Sequence, residues 1–442
     1  MRFNHLSDWL AWQETLHHKS VDFGLERIGR VAMRLGIDST PFPIVSVAGT
    51  NGKGSCVALL ESIFRQGGYR VGAYTSPHLL RYNERVRIMG HEVPDGELIR
   101  AFDEIDRARG ETTLTYFEFG TLAAMVLFCR AELDVVVLEV GVGGRLDAVN
   151  LFDADLALVT TVGIDHVAWL GHDRETIARE KAGIFRPGRP AVCGDPHPPI
   201  SLVDHADSIG AFLHCAGKDF RFFMEADGWR WEGGADSSYG SLPKPALAGR
   251  HQVQNAAAVL MAVELMRHLL VSEDALRRGL CEVALPGRFQ VFLGEDGITR
   301  ILDVAHNQEA ARTLARVLQG HPCDGRTLAV FAILEDKCIE AVLRAMWLVV
   351  DAWYVSDLDV PRGGTANEIV GVMSRIGVDV DVVSETTILE AYNTALRSAG
   401  SGDRIVVFGS FYTVGEVLES LGSSAGCLEI PGGDFAYPLP SE

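Results

Sequence analysis

Short apolar, β-branched runs alternate with longer stretches of mixed polarity along most of this chain, the pattern of parallel α/β sheets. The run around Ile44–Val47 predicts a strand that leads into a glycine-rich turn, and Cys56–Phe64 reads as the helix behind it. Residues 70–75 predict a second strand, ending at Ser76-Pro77-His78-Leu79. Phe117–Arg130 is a mostly apolar helix. Asp134–Val140 is apolar almost without break, as in a strand covered by helices on both faces, and gives way to Gly141-Val142-Gly143-Gly144-Arg145-Leu146-Asp147. Residues 155–161 repeat the pattern and end at Gly163-Ile164-Asp165-His166. Arg174–Phe185 predicts a helix stopped by Arg186-Pro187-Gly188.

From Pro196 to Gly249 the alternation weakens, and Pro, Gly and Ser punctuate short aromatic pieces such as Phe220-Arg221-Phe222-Phe223. Antiparallel strands and loops are expected there. A long helix over His251–Leu269 and a hinge at Leu285–Phe289 follow. A second alternation then sets strands at 298–304, 327–333, 352–356, 378–382 and 404–408. The fold class is therefore α/β, with a parallel-sheet domain of the P-loop type over 1–286 and a smaller Rossmann-like domain over 287–442. No internal repeat is visible, and the tail after Gly422 reads as irregular.

Composition narrows the class of protein. With 442 residues, 47% hydrophobic and 22% charged, the chain has the make-up of an ordinary globular protein. No apolar run reaches the roughly 18–20 residues of a membrane span, and the first ten residues lack a signal peptide's apolar core. Eight scattered cysteines without paired metal-ligand spacing point to a reduced, cytoplasmic setting. A net charge of −19 argues against nucleic-acid binding, and it means that an anionic substrate needs a locally basic or metal-bearing site.

The glycine turn supplies such a site. In Gly49-Thr50-Asn51-Gly52-Lys53-Gly54-Ser55, glycines let backbone N–H groups turn inward, the lysine adds a mobile charge, and the following helix adds its N-terminal partial charge. The pattern departs from the standard P-loop, because Gly54 separates Lys53 from Ser55. The turn reads as a nucleotide triphosphate site. Ligands of open parallel sheets collect beyond the carboxyl ends of strands, where this chain also places Thr75-Ser76, Glu139 and Asp165-His166. Ser76 and Glu139 offer the oxygen donors that magnesium prefers, and His166 could hold a second ion. Lys181, near a helix C-terminus, would ordinarily serve only the helix dipole. In the second domain Asp303-Val304-Ala305-His306-Asn307 follows a strand, and Asn307 is placed to cap the next helix.

Taken together, the glycine turn, Thr75-Ser76-Pro77-His78-Leu79, the segment Glu139–Ala148 and Asp303–Asn307 resemble the folylpolyglutamate synthase and dihydrofolate synthase family, relatives of the Mur peptide ligases. Tyr116-Phe117-Glu118-Phe119 and His251–Ala257 agree with it, and the likeness runs from about residue 20 to residue 415. It implies an ATP-dependent amide ligase, in which a pterin carboxylate takes the γ-phosphate and the amine of L-glutamate displaces phosphate. The substrates implied are dihydropteroate, reduced folates and L-glutamate, and the enzyme implied is a monomer. Carried over by position, Asn51, Gly52, Lys53, Gly54 and Ser55 hold the ATP phosphates, with Asn255, Arg288 and Asp303 also at ATP. Ser76, Glu139 and His166 hold magnesium, two ions, and a monovalent cation is a further expectation. Lys181 matches a lysine that the family carbamylates, and Lys53, Lys181 and His166 form the catalytic set. Thr115, Tyr116, Phe117, Glu118, Leu146, Asp147 and Ala148 line the pterin site, and His306 belongs to the glutamate region.

Two positions depart from the family's Asp-Gly-Ala-His-Asn-Pro: Val304 requires a negative φ there, and Gln308 removes a proline that would pre-set the first helical turn. The segment Lys19–Ile28 is similar to bacterial enzymes that perform both additions, which favours a bifunctional enzyme over a folylpolyglutamate synthase with one activity. A Mur-type peptide ligase is disfavoured because fewer than fifty residues precede the glycine turn. A nucleotide-binding switch without synthetic chemistry would not need both Tyr116–Phe119 and Asp303–Asn307.

Overall fold

The computed structural model describes residues 1–234, 237–422 and 427–430. They divide into two compact units, one of residues 1–244 and 253–283 and the other of 245–252 and 284–442.

The first unit is built on β1 (Ile44–Ala48), β2 (Val71–Tyr74), β3 (Val86–Ile88), β4 (His91–Glu92), β5 (Val135–Glu139), β6 (Leu156–Val159), β7 (Pro190–Cys193) and β8 (Phe212–Cys215). They form one sheet in the order β4-β3-β2-β5-β1-β6-β7-β8. All neighbours from β2 to β8 pair in parallel, while β3 and β4 add an antiparallel edge. Every residue of β1, β2, β5 and β6 is buried, which explains their unbroken apolar character. The helix Lys53–Gln66 behind the glycine turn is buried continuously from Gly54 to Phe64. Such a helix is wrapped on all sides, so it carries no amphipathic stripe. Trp9, Phe102 and Phe119 meet at centroid distances of 5.5–6.5 Å in the core.

The weak stretch from 196 to 249 is more ordered than its punctuation suggests. Its first half forms a helix, Ile200–Ile209, and the parallel strand β8, where only antiparallel strands and loops were expected. Pro199 and Gly210 are the boundaries of that helix, with Gly210 in the left-handed region at φ 72°, so breakers read as loop were caps. Antiparallel strands do follow: β9 (Phe220–Glu225), β10 (Gly228–Gly233) and β11 (Ser237–Leu242). Trp231 of β10 is fully buried and donates its indole N–H to the Ala257 carbonyl at 3.0 Å, tying this sheet to the helix Arg250–Leu265. That helix ends four residues before Leu269, and a second one, Glu273–Glu282, starts on a Ser272 cap. The sequence reading missed it. Its Gly279 lies against Ile63, where a Cβ would meet the Ile63 Cα at 2.7 Å.

The second unit holds β12 (Gln290–Gly294), β13 (Thr299–Leu302), β14 (Thr327–Phe331), β15 (Ala352–Ser356), β16 (Asp381–Glu385), β17 (Arg404–Phe408) and β18 (Cys427–Ile430), ordered β16-β15-β14-β17-β13-β12-β18. The five strands from β16 to β13 are parallel; β12 and β18 are antiparallel additions. Three expectations shift here. Residues just after the supposed hinge form β12. The strand expected at 378–382 starts at Asp381, because Gly377 ends the preceding helix in the left-handed region. Residues 427–430 pair with β12 where an irregular tail was expected, and the remainder of that tail lies outside the described residues.

Candidate active site

Parallel register brings the carboxyl ends of four adjacent strands together. Val47 pairs with Glu139, Tyr74 with Leu138, and Ala48 with Val159. Thr75-Ser76, Glu139, Gly49 and Thr160 therefore leave the sheet side by side, as the sequence led one to expect of a ligand-binding edge.

The glycine turn is held from below by the end of β6. Thr50 N–H donates to the Thr161 carbonyl (2.7 Å), and the Thr160 hydroxyl donates to the Asn51 carbonyl (2.6 Å). The Thr50 hydroxyl bridges the Gly163 carbonyl (3.0 Å) and the Gly163 N–H (2.9 Å). Glycine is required at two points. Gly49 has φ 153° with Thr160 pressed against it. Gly52 has φ 89°, and a Cβ there would lie 2.7 Å from Asn255 Oδ1. Asn255 thus reaches the turn itself.

Two lysines converge on one carbonyl. Lys53 Nζ donates to Gly49 O (3.0 Å) and Thr50 O (3.2 Å), and Lys181 Nζ donates to Gly49 O (3.0 Å). Lys53 is half-buried, whereas Lys181 is buried. Burial pulls the Lys181 amine down to about 7, the Lys53 charge adds to the shift, and Asp165 and Asp147 oppose it. Asp147 is pushed up to about 6 by its own burial, against N–H groups of Val142 and Val149 at 2.9 and 3.0 Å. Nothing in the lysine's place at a helix end announces this environment.

Around them stand oxygen donors. Glu139 is buried and accepts the Ser76 N–H at 3.2 Å, and it helps raise the Cys56 thiol on the phosphate-loop helix. His166 adopts φ 52° and stacks on Trp169 at 5.7 Å, and its backbone N–H donates to Asp165 Oδ1 at 2.8 Å. Among the described residues no three His, Cys, Asp or Glu side chains form a metal cage. Magnesium is usually held by one or two carboxylates, waters and substrate phosphates, so a carboxylate with a neighbouring serine suits it.

The residues expected at the pterin site are divided in their duties. Thr115 and Glu118 cap the helix Tyr116–Arg130 reciprocally: Thr115 N–H donates to Glu118 Oε2 (2.7 Å) and Glu118 N–H to Thr115 Oγ1 (3.2 Å). Arg27 also donates to Glu118 Oε1 at 3.0 Å, so this buried carboxylate has structural partners on both oxygens. Tyr116 and Phe117 are only partly buried. Phe117 lies over Gly141, where a Cβ would meet its ring at 2.7 Å. The segment Leu146-Asp147-Ala148 opens the short helical turn Ala148–Leu151, with Asp147 as its cap. Beside these, the Arg85 guanidinium sits 5.2 Å from the Tyr82 ring and 5.4 Å from that of Tyr116. Its Nε donates to His78 Nδ1 at 2.9 Å; burial, aided by Arg85, brings His78 down to about 4. The sequence reading passed over Arg85, since no periodicity marks it; its one signal is closeness to Thr75–Leu79.

In the second unit Asp303 accepts the N–H groups of Phe289 (2.9 Å) and Ala305 (2.8 Å), and Asn307 accepts from Ala310 N–H (3.0 Å) as a helix cap. Burial raises the Asp303 carboxyl and the Arg288 charge opposes it. Arg288 and His306 both approach the Phe411 ring, at 5.3 and 6.1 Å. His251 belongs to the same group: burial, then Arg288 and Arg316, take it down to about 4. Val304 keeps a negative φ; in the hinge segment bonded to Asp303, Gly287 and Phe289 take positive φ values of 71° and 47°.

Residues 47–193 match the Mur ligase middle domain, and residues 287–411 match the Mur ligase glutamate ligase domain. The dihydrofolate synthase/folylpolyglutamate synthase of Escherichia coli is 45% identical over 415 residues, covering 94% of this chain and 95% of that protein. The Mycobacterium tuberculosis protein of the same name is 32% identical, covering 82% and 79%. Among solved structures, E. coli FolC in complex with DHPP and ADP superposes with a TM-score of 0.89 at 44% identity, over 95% of this chain and 98% of that one. A bifunctional folylpolyglutamate synthase/dihydrofolate synthase with Mn, AMPPNP and L-glutamate bound gives 0.87 at 43%, with the same coverage. This chain belongs to the dihydrofolate synthase/folylpolyglutamate synthase family and carries the Mur ligase middle and glutamate ligase domains.

Proposed function

We propose that this chain joins L-glutamate to dihydropteroate, forming dihydrofolate, and to reduced folates, forming folylpolyglutamates, at the expense of ATP. The observation that carries this reading is the glycine turn with Lys53 and Lys181 on the same Gly49 carbonyl, beside Glu139. The relatives support the substrates: one was solved with DHPP and ADP, another with Mn, AMPPNP and L-glutamate.

Residues Asn51–Ser55 receive the ATP phosphates through backbone N–H groups at the helix N-terminus, and Lys53 swings from its carbonyl partners onto the γ-phosphate. Ser76 and Glu139 would hold magnesium, with His166 at a second ion, and the bound metal would supply charge neutralisation for the transferring phosphoryl group. A carboxylate oxygen of the pterin substrate bonds to the γ-phosphorus as the bridging bond to ADP breaks. The glutamate amine then bonds to the acyl carbon and phosphate leaves with the carboxylate oxygen. Lys181 contributes as a carbamate: an amine near pH 7 has a substantial neutral fraction, which adds to CO₂ and loses a proton to give an anionic oxygen donor. Thr115, Tyr116, Phe117, Glu118 and the segment 146–148 line the pterin site, and the reciprocal capping of Thr115 and Glu118 holds that helix start in place. Asn255, Arg288 and Asp303 serve ATP, and His306 the glutamate. Residues 1–286 carry the phosphate-loop and pterin chemistry, and 287–442 carry the glutamate side along with Arg288 and Asp303. We take the working form to be a cytoplasmic monomer; the seven cysteines with described side chains are free thiols, which suits a reducing compartment.

Purified protein incubated with ATP, Mg²⁺, L-glutamate and either dihydropteroate or tetrahydrofolate tests the assignment. Phosphate release should require a pterin, and both pterins should gain glutamate. Release that depends on neither pterin overturns the ligase reading, and product from tetrahydrofolate alone removes the first addition.

A further inference from the structure

One ion pair outside the assigned residues grips the loop that leaves β6 beneath the phosphate turn. Arg174 opens the helix Arg174–Ala182 that ends beside Lys181, and Asp195 follows β7. Their side chains pair at 2.7 Å, with Asp195 only 4% exposed. Between them they grip a single residue of the loop leaving β6: Val162 N–H donates to Asp195 Oδ2 (2.9 Å), and Arg174 Nε donates to the Val162 carbonyl (2.7 Å). The second face of each group is used as well. Asp195 Oδ1 accepts the His197 N–H at 2.9 Å, and Arg174 Nη2 donates to the His197 carbonyl at 2.8 Å.

Val162 is the centre of that loop. Thr161 before it bonds the backbone of Thr50 and the Asn51 carbonyl, Gly163 after it bonds the Thr50 hydroxyl, and Asp165-His166 close the segment. Holding Val162 from both sides therefore fixes, at once, the underside of the phosphate turn, the backbone that presents His166 at φ 52°, and the start of the Lys181 helix. A surface salt bridge is worth little by itself. This one has a buried carboxylate and a guanidinium whose fork reaches three acceptors, a geometry that lysine cannot copy.

We propose that Arg174 and Asp195 are positioning residues for the metal and phosphate ligands, acting through the Val162 backbone. The inference rests on the proposed function for the identity of those ligands. Outer partners of metal ligands typically change metal affinity by about 10–100-fold when removed. Arg174→Lys, which keeps the charge but loses the fork, should weaken Mn²⁺ binding in the presence of ADP by at least about 10-fold, read by electron paramagnetic resonance. KM for dihydropteroate should stay within about twofold, since the residues proposed for the pterin lie on other elements, and the thermal transition should persist. Asp195→Asn is the second variant, and should shift Mn²⁺ affinity in the same direction. Unchanged Mn²⁺ affinity in both variants overturns the proposal. So does a parallel loss of Mn²⁺ affinity, pterin KM and thermal stability, which marks a general structural pair. The Mn²⁺ readout needs no turnover, so a wild-type chain that binds Mn²⁺ and ADP but makes no pterin-dependent ADP breaks the proposed function and leaves this comparison standing.

Discussion

The chain makes the same local move twice, and the two turns differ in what they leave available. Between β1 and the helix Lys53–Gln66 the backbone runs through Gly49 and Gly52 in conformations that favour glycine, and the helix opens on Gly52, which has no capping side chain. Between β13 and the helix Gln308–Gly320 the turn satisfies itself. Asp303 takes two backbone N–H groups and Asn307 caps the helix. A helix start that is capped from within has little to offer an anion, whereas one that opens on glycine beside two lysines does. The comparison separates a turn built to receive phosphate from a turn built to hold its own shape.

Lys53→Ala should break the first turn's function without touching its fold. Loss of a donor to developing charge costs about 10²–10³ in kcat, and here the lysine also binds the phosphate, so turnover should fall at least that far. The thermal midpoint without nucleotide should stay put; a collapse there would make Lys53 a structural residue.

Lys181 sharpens the same contrast through pH. Its amine is held at about 7 in the folded chain, below the value it regains on unfolding. Between those two values the unfolded state binds the extra proton, so stability should rise with pH from about 7 upward, by up to ~1.4 kcal/mol per unit, and be flat below. Lys181→Met should erase that slope in CO₂-free buffer. A slope equal to the wild type's would place the amine elsewhere. In the wild type, added bicarbonate should raise activity above neutral pH, and no response would remove the carbamate.

Gly52→Ala should cost about 1–2 kcal/mol for a left-handed alanine, with added strain against Asn255, and should weaken ATP binding more than pterin binding. Equal loss for both ligands would deny Gly52 a specific place at the phosphates. In the second turn, Asn307→Ala should lower stability by about 1 kcal/mol, seen as a small fall in thermal midpoint. The smallest effect expected is a gain. Asn307 already has φ −134° and ψ 168°, which a following proline tolerates, so Gln308→Pro should stabilise by about 0.4–1 kcal/mol. A loss instead would show that the Gln308 N–H is in use.

The sequence made the first turn legible because its requirements are written in residue types: glycine where φ is unusual, lysine where charge is needed, strand and helix on either side. The strand ends carrying Ser76 and Glu139 were legible for the same reason, since buried parallel strands have unbroken apolar runs that stop at polar residues. Lys181 was legible only through the resemblance. Its shifted amine comes from burial beside Lys53, which a position near a helix end cannot reveal. Helix Ile200–Ile209 was hidden because Pro199 and Gly210 punctuate a helix as readily as a loop. Glu118 shows another limit: its place in Tyr116–Phe119 does not disclose that its oxygens also accept from Thr115 and Arg27. Arg174 and Asp195 are ordinary charged residues in sequence and become a clamp only when the fold puts Val162 between them.

The central claim is that the pterin carboxylate attacks the γ-phosphate held by the first turn. Dihydropteroate labelled with oxygen-18 in its carboxylate tests it directly. With ATP, Mg²⁺ and L-glutamate, each amide formed should send one labelled oxygen into the released phosphate, detected by mass. Phosphate released without label, while dihydrofolate accumulates, would contradict the acyl-phosphate route and the role assigned to the turn.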